Sequence, residues 1–479
     1  MAVAKARAGI RLRRFREQRG LTQAALAQAL GISPSYVNQI ESNQRPITAP
    51  VLFKLADVFD TDVQQFSTEP ADRLVAELRD VLSDTSIGEP ATLAELGELA
   101  AAMPGIARTL IEVHRRYRHG LEVNHGLAGL LDSDGVPPAM AYEEVRDLFY
   151  AHRNHFPRLD RAAERLSATA GLTAGDTATG LAAHLARRHG TTVVDLPGDD
   201  GGLKRRYDPR RRELAVSPLL HPGRRAFQLA THVALTEFTD EIDEVLAGTS
   251  LTSHETRSLA RIGLANYAAG ALILPYTPFR DAADELRYDI DLLRQRFRVG
   301  YETITHRLST LQRPRARGVP FVFVRVDRAG NISKRQSATD FHFSRIGGSC
   351  ALWNVYEAFA HPRQIHTQLA EMPDGRRYLW IARTVHHRTG GYHSPETTFA
   401  IGLGCDLRHA HKLVYADGLD LNDPTVLTPI GPGCKLCDRP ACPQRAFPAL
   451  GRPLHADPHQ ARSLPYATGE APPPTDPAD

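Results

Sequence analysis

Residues 12–59 read LRRFREQRGLTQAALAQALGISPSYVNQIESNQRPITAPVLFKLADVF, and their spacing decides the character of the N-terminal segment. Beginning at Ile10, the apolar positions Leu12 and Phe15, then Leu21, Ala25, Leu26 and Leu30, then Tyr36, Val37 and Ile40, then Val51, Leu52, Leu55, Ala56 and Phe59 recur at helical intervals, which predicts a set of short helices. Thr22 is a fitting N-cap for TQAALAQAL, Gly31 follows its end, and Ser33 caps the next helix with Pro34 at its first position. Only a tight turn fits between Leu30 and Ser33, so the two helices meet at a steep angle, as in a helix-turn-helix.

The second of these helices, expected over 34–44, buries Val37 and Ile40 and turns Ser35, Tyr36, Asn38, Gln39 and Asn43 outward. Asn and Gln make bidentate contacts to adenine edges, Gln23 can reach a phosphate, and Arg11, Arg14 and Arg45 can neutralise backbone charge. Residues 1–60 hold nine Lys or Arg against four acids, a balance of +5, whereas the whole chain carries +3. A basic segment on a near-neutral body is the footprint of a nucleic-acid-binding module. Residues 11–59 resemble the Cro/C1-type helix-turn-helix family, which implies double-stranded operator DNA as a partner.

At 479 residues the chain calls for about three domains. Its 42% hydrophobic and 24% charged residues are ordinary globular composition. No apolar run reaches the ~18 residues of a membrane span, and MAVAKARAG lacks the apolar core of a secretion signal, so a cytoplasmic protein with no membrane partner is expected. Residues 71–159 read as successive amphipathic helices, DRLVAELRDVL, ATLAELGELAAAMPGIARTLIEVHRRYRHGLEV and AMAYEEVRDLFYAHRN. They are taken as a linker and homodimerisation surface, with core helices of the following domain as the other reading. A dimer, or a higher homo-oligomer, would read two half-sites.

Residues 160–315 mix strands, TTVVDL and ELAVS, with turn-rich PGDDGG, basic KRRYDPRRR and long helical stretches from Phe227 to Leu246, Leu259 to Phe279 and Tyr288 to Leu311. They resemble the zinc-peptidase-like domain of the ImmA/IrrE family. The pentapeptide aligned with that family's HExxH is His232, Val233, Ala234, Leu235, Thr236, which lacks the general base and the second ligand. Ile262, Gly263 and Leu264 stand where a further carboxylate would be expected. The domain therefore reads as a non-catalytic scaffold, and the rival function, a metallopeptidase that cleaves a repressor, loses its chemistry.

From about 318 the texture changes: PFVFVRVD, the turn Ala329-Gly330-Asn331 and ISKRQSA read as a hairpin, DFHFSR, RRYLWIARTVHH and TTFAIGLGC as further strands, and GGSCALWNVYEAF as a Gly-rich turn into a helix. Arg325, Lys334, Arg335 and Arg345 with the Gly347-Gly348 turn could hold phosphate, with Phe341, Phe343 and Trp353 as an apolar wall; a solvated strand edge is the alternative. From RGVPFVFVRVD to GCKLCDRPACPQRAFP the chain resembles the short-chain fatty-acyl regulators, in the same domain order. That resemblance implies a transcriptional regulator of acetate, glyoxylate-cycle or propionate genes, with a short acyl-coenzyme A as ligand.

Three of the five cysteines, Cys434, Cys437 and Cys442, crowd into one polar loop with Gly431 and Gly433, which argues against a disulfide framework and for a bound metal. A fourth ligand could come from Cys405, Cys350, His409, His411 or His455. With an all-cysteine choice available, and with the iron–sulfur centre that the resemblance implies, a [4Fe–4S] cluster is favoured over zinc. The whole reads as a multidomain, mainly α chain with α+β parts. It comprises an all-α helix-turn-helix domain (1–70), the helical linker (71–159), a degenerate zincin-like α+β domain (160–315), a mixed α/β sensor domain with an antiparallel sheet (316–455) and a Pro-rich tail expected to be disordered (456–479).

Overall fold

The computed structural model describes residues 7–42, 44–45, 47–59, 69–82, 91–127, 138–197, 202–251, 253–339, 341, 349–388, 393–394, 396–440 and 442–449. The chain divides into two compact units, one formed by residues 1–131, 340–347 and 432–479, the other by 132–339 and 348–431.

In the first unit, α1 (Arg7–Gln18), α2 (Gln23–Leu30), α3 (Pro34–Glu41) and α4 (Ala49–Phe59) enclose Leu12, Phe15, Leu26, Leu30, Val37, Ile40, Val51 and Leu55. The caps fall where local chemistry places them. Thr22 accepts from the Ala25 amide at 3.1 Å and Ser33 from the Tyr36 amide at 3.1 Å. Gly31 takes φ +61°, a left-handed conformation that costs a side chain 1–2 kcal/mol or so. A second core joins α5 (Glu69–Leu82), α6 (Leu93–Ala102) and α7 (Pro104–Leu127) through Leu74, Leu78, Val81, Leu96, Ala100, Ala107 and Ile111. The stretch read as one long helix from Ala91 is two, because Pro104 cannot continue the helix and instead opens α7.

In the second unit, α8 (Pro138–Ala151) sends Leu148 and Phe149 into the same core as α9 (Pro157–Thr169) and α10 (Thr177–His189). The boundary expected at 159/160 is therefore corrected: α8 is a core helix of the second unit. A small sheet of β1 (Thr192–Asp195), β2 (Arg205–Asp208) and β3 (Glu213–Val216) has the order β1-β3-β2, with β1 and β3 parallel. β2 comes from the basic run that separates the two strands expected from sequence. Helices α11 (Pro222–Glu237), α12 (Thr239–Ala247), α13 (His254–Ile273), α14 (Tyr276–Glu285), α15 (Ile290–Phe297) and α16 (Tyr301–Leu308) come next. The stretches 227–246 and 259–279 each divide, at Phe238 and at Leu274-Pro275.

The last sheet has the order β5-β4-β8-β7-β6-β9, built from β4 (Val322–Val326), β5 (Ile332–Ser337), β6 (His366–Glu371), β7 (Arg377–Arg388), β8 (Glu396–Asp406) and β9 (Thr428–Pro429). It is mixed rather than strictly antiparallel, since β9 runs parallel to β6. One face contributes Phe323, Leu379, Ile381, Ile401 and Leu403 to the helical core, so no separate core begins at 316. On the other face lie α17 (Asn354–Glu357) and a pair of indoles, Trp353 and Trp380, with centroids 4.6 Å apart. Gly402 and Gly404 are required there, because a Cβ on either would come within 2.8 Å of Val355 and Val324 or of the Trp380 ring. The expected strand DFHFSR, apart from the buried Phe341, and the tail 456–479 lie outside the described residues.

Candidate DNA interface and sensor sites

On α3, Ser35 and Asn38 are exposed and Tyr36 and Gln39 half-buried, while Val37 and Ile40 are fully buried, so the polar face expected for the groove is presented. The helix stops at Glu41, three residues earlier than expected, and Asn43 lies outside the described residues. Arg45 is exposed and its guanidinium sits 5.8 Å from the Tyr36 ring centroid. Arg11 and Arg14 fall on α1. Gln23 is committed inward: its amide donates to Glu41 Oε2 at 2.8 Å and to Asn38 Oδ1 at 3.4 Å. Glu41, not singled out from the sequence, is buried and held by Arg16 through Nε at 2.7 Å and Nη2 at 3.1 Å.

In the zincin-like region, His232 is buried on α11 with its ring 4.4 Å from that of Tyr207 on β2. Burial, with Arg205 and His189 adding to it, holds its pKa down to about 4. Val233 faces the core, the Thr236 hydroxyl donates back to the His232 carbonyl at 2.8 Å, and Ile262 is exposed. No carboxylate or second imidazole stands at the positions where the peptidase motif would place one.

Arg325, Lys334 and Arg335 of the expected phosphate site do not share one face. Strand pairing sets Arg325 opposite Lys334 and Arg335 opposite Val324, so Arg335 projects from the other face of the hairpin. Arg325 donates to Ser333 at 2.9 Å and pairs with Glu302 of α16 at 3.0 Å, and its guanidinium lies 4.7 Å from the Phe399 centroid. Burial pushes the Lys334 ammonium down to about 8 against the pull of Glu302. Burial raises the Glu302 carboxyl in turn, but His387, Lys334 and Arg325 outweigh it and hold the group near 2. The cations on that face are thus spent on Glu302. Trp353 is buried on the indole face, and Phe343 and Arg345 lie outside the described residues.

A different cavity, of about 750 Å³, opens in the second unit between the N-termini of α10 and α11 and the helix α15. Its wall includes Gly175, Thr177, His221, Gly223, Arg294, Arg298 and Arg383. Asp291 takes Arg294 at 2.6 Å and Arg383 at 2.8 Å. Asp176, the residue that caps α10, makes no side-chain cap bond, so first-turn amides of that helix remain available to an anion. None of these residues was singled out from sequence. They meet only because three distant helices converge.

The cysteine loop is organised by a residue that sequence reading missed. Arg445 is buried, and its guanidinium donates to the carbonyls of Cys434 at 3.1 Å, Cys437 at 2.9 Å, Arg439 at 2.6 Å and Phe447 at 3.3 Å. Arg79 of α5 pairs with Asp438 at 2.9 Å. Cys434 and Cys442 are half-buried and Cys437 is buried, its thiol pushed up by burial and drawn back by the Arg439 amide and Arg445. Cys405, expected at a rim, is instead packed in the helical core, where burial drives its thiol far above the ordinary range. Cys350 is half-buried in the turn before Trp353. His409 and His411 lie in a one-turn segment after β8, and His455 is outside the described residues.

Residues 310–466 match the family described as short-chain fatty acyl coenzyme A regulator, C-terminal, residues 186–309 the IrrE N-terminal-like domain, and residues 12–66 the helix-turn-helix family. The chain is 52% identical over 465 residues to the HTH-type transcriptional regulator PrpR of Mycobacterium tuberculosis, covering 96% of each chain. It is 51% identical over 472 residues to the regulator RamB of the same species, covering 97% of this chain and 99% of that one. The propionyl-CoA carboxylase regulator of Cereibacter sphaeroides is 41% identical over 466 residues, 96% of this chain and 98% of the relative. A solved Mycobacterium tuberculosis transcriptional regulator superposes with a TM-score of 0.66 at 54% identity, covering 68% of this chain and 99% of that one. With its capped recognition helix, its peptidase-like middle without the peptidase motif and this agreement along nearly its full length, the chain belongs to the short-chain fatty acyl-coenzyme A regulators, helix-turn-helix transcriptional regulators of short-chain acyl metabolism.

Proposed function

We propose that the protein binds a short acyl-coenzyme A in the cavity bounded by α10, α11 and α15, and that occupancy adjusts operator binding by α3. The observation that carries this reading is the convergence of Arg294, Arg298 and Arg383 with two helix N-termini on one cavity of about 750 Å³. That size suits a cofactor-sized ligand, and the cations and amides suit its phosphates. Calorimetry of acetyl-CoA and propionyl-CoA tests it: Arg298→Ala should weaken binding, and Arg335→Ala, on the hairpin, should not. The reverse result would return the ligand to the hairpin cations.

The middle domain acts as a scaffold rather than a peptidase, since His232 is packed against Tyr207 and is followed by Val233 where a general base would stand. Hydrolysis of a repressor that disappears in His232→Ala would refute this. Dimerisation falls to α7, whose Ile106, Val113 and Tyr117 are exposed at helical spacing.

The loop of Cys434, Cys437 and Cys442 holds a metal centre, with the buried charge of Arg445 favouring thiolates. A four-iron cluster remains the favoured occupant. Iron and sulfide analysis after anaerobic purification separates it from zinc.

A further inference from the structure

A second candidate metal centre stands apart from the cysteine loop. His184 and His189 sit on α10, and Glu237 is the last residue of α11. Glu237 Oε1 lies 2.6 Å from His184 Nε2 and 2.9 Å from His189 Nε2, and the two rings meet at 71° with centroids 6.4 Å apart. Among the described residues, this is the one group of three or more His, Cys, Asp or Glu whose ligand atoms all lie within 4.8 Å of one another. All three side chains are half-buried, so the group is preorganised yet open to an ion from solvent.

The group is not the vestige of the peptidase motif. That pentapeptide begins at His232, whose ring is taken up by Tyr207. Glu237 comes five residues later, and both imidazoles come from a different helix. Two neutral imidazoles and one carboxylate carry a single negative charge, a borderline-soft nitrogen and oxygen set that suits Zn²⁺ with water completing four-coordination. His189 and Glu237 each end their helix, where the unpaired carbonyls carry partial negative charge that favours a cation. In this ion-free arrangement both Nε2 atoms lie at hydrogen-bonding distance of one carboxylate oxygen. With the ring protons on Nδ1 and a small outward movement of the side chains, the same two nitrogens and the carboxylate can turn their lone pairs on a shared ion.

We infer that His184, His189 and Glu237 bind a divalent transition metal of the zinc class, which clamps the C-terminal ends of α10 and α11. Both helices also border the acyl-CoA cavity proposed above through their N-terminal ends, but the metal site stands independently of that ligand.

The test is a titration of metal-free full-length protein with Co²⁺ and Zn²⁺, in wild type and in a Cys434→Ser/Cys437→Ser/Cys442→Ser variant that removes the other centre. One equivalent of Co²⁺ should bind in the triple variant, giving a d–d spectrum without thiolate-to-metal charge transfer; wild type should show the same equivalent in addition to any taken up by the cysteine loop, and Zn²⁺ should displace it. Glu237→Gln, which keeps size and hydrogen bonding, and His184→Ala/His189→Ala should weaken that equivalent by about a hundredfold or more, beyond the 10–100-fold that loss of an outer hydrogen-bonding partner costs. Circular dichroism confirms that each variant is folded. If the triple variant is folded and takes up no metal, or if its equivalent survives Glu237→Gln and the double alanine unchanged, the site is refuted.

Discussion

Arg307 and Asp160 form an ion pair at 2.8 Å in the interior of the second unit, with side chains 2% and 0% exposed. The pair fastens α16 to α9, and Arg313 joins it from 3.2 Å while also reaching Glu164 at 2.7 Å. Arg307 further donates to the Leu274 carbonyl and the Thr310 hydroxyl, both at 2.9 Å. Removing one partner of such a pair leaves an uncompensated buried charge, which costs about 3–5 kcal/mol. Asp160→Ala and Arg307→Met should each lower the unfolding free energy measured in urea by that order. The double variant should be less damaged than the sum of the two, because neither charge is then orphaned. Additive losses would show that the pair is not coupled.

His155 supplies the pH dependence of the same region. It is buried, lies 3.3 Å from the Tyr267 hydroxyl, and is held near pKa 4, first by burial and then by Arg307 and Arg313 against Asp160. His232 is also held near 4. A histidine whose folded pKa lies below its unfolded value of about 6.5 adds stability above 6.5 and loses it as pH falls toward the folded value. Thermal stability should therefore decline between pH 6.5 and 4, by about 3 kcal/mol at most for each histidine. The slope of the melting temperature with pH should flatten in His155→Gln. An unchanged slope in that variant would transfer the effect to other groups.

At the DNA end, Glu41 and Gln39 should separate folding from recognition. Glu41→Ala removes the carboxylate that Arg16 and Gln23 share, and should lower thermal stability and weaken binding to every DNA sequence together. Gln39→Ala alters a side chain expected to read bases and should leave stability within about 0.5 kcal/mol while costing about 1–3 kcal/mol of discrimination at particular bases. Melting curves and competition binding on operator variants distinguish the two patterns.

What was legible in the chain was what is decided locally. Thr22, Gly31, Ser33 and Pro34 set the helix-turn-helix from within a few residues, and the Gly330 turn sets the hairpin in the same way. Two placements differ from expectation against a signal that was present. Period-two alternation already separates Lys334 from Arg335, and it already groups Cys405 with Ile401 and Leu403 on the core face. The partners of Glu41, Asp160 and Arg445, and the cavity around Arg298, depend on contacts across long sequence separations. Nothing in a linear pattern distinguishes a glutamate that faces water from one that an arginine on another helix holds inside.

Self-association should be sensitive to the exposed side of α7. Val113 and Ile106 are each more than half exposed, which is costly for a solitary helix face and natural for a shared one. Val113→Glu should therefore shift sedimentation toward monomer without loss of helical signal and should weaken binding to a two-half-site operator more than to a single half-site. Unchanged sedimentation at micromolar concentration would move the interface elsewhere.

The cysteine loop should fail through Arg445 as surely as through its thiols. The guanidinium is the buried group on which the carbonyls of Cys434, Cys437 and Arg439 converge, so it fixes the backbone from which two of the three thiols project. Arg445→Met keeps the bulk and removes every donor, leaving carbonyls unpaired at about 1–3 kcal/mol each, and should lower the melting temperature even in metal-free protein. Arg445→Lys keeps the charge but replaces the planar fork with a point donor that cannot span the same acceptors. If charge alone favours the thiolates, the lysine variant should retain metal; if the fork sets the loop, it should lose metal nearly as fully as methionine does. The shared carbonyls predict the second result. Cys437→Ser provides the reference, since it should lose the metal while leaving the Arg445 bonds in place, and its metal-free stability should match that of metal-free wild type. A methionine variant that holds its metal and melts with wild type would show that the loop is shaped by the centre it binds and not by the arginine.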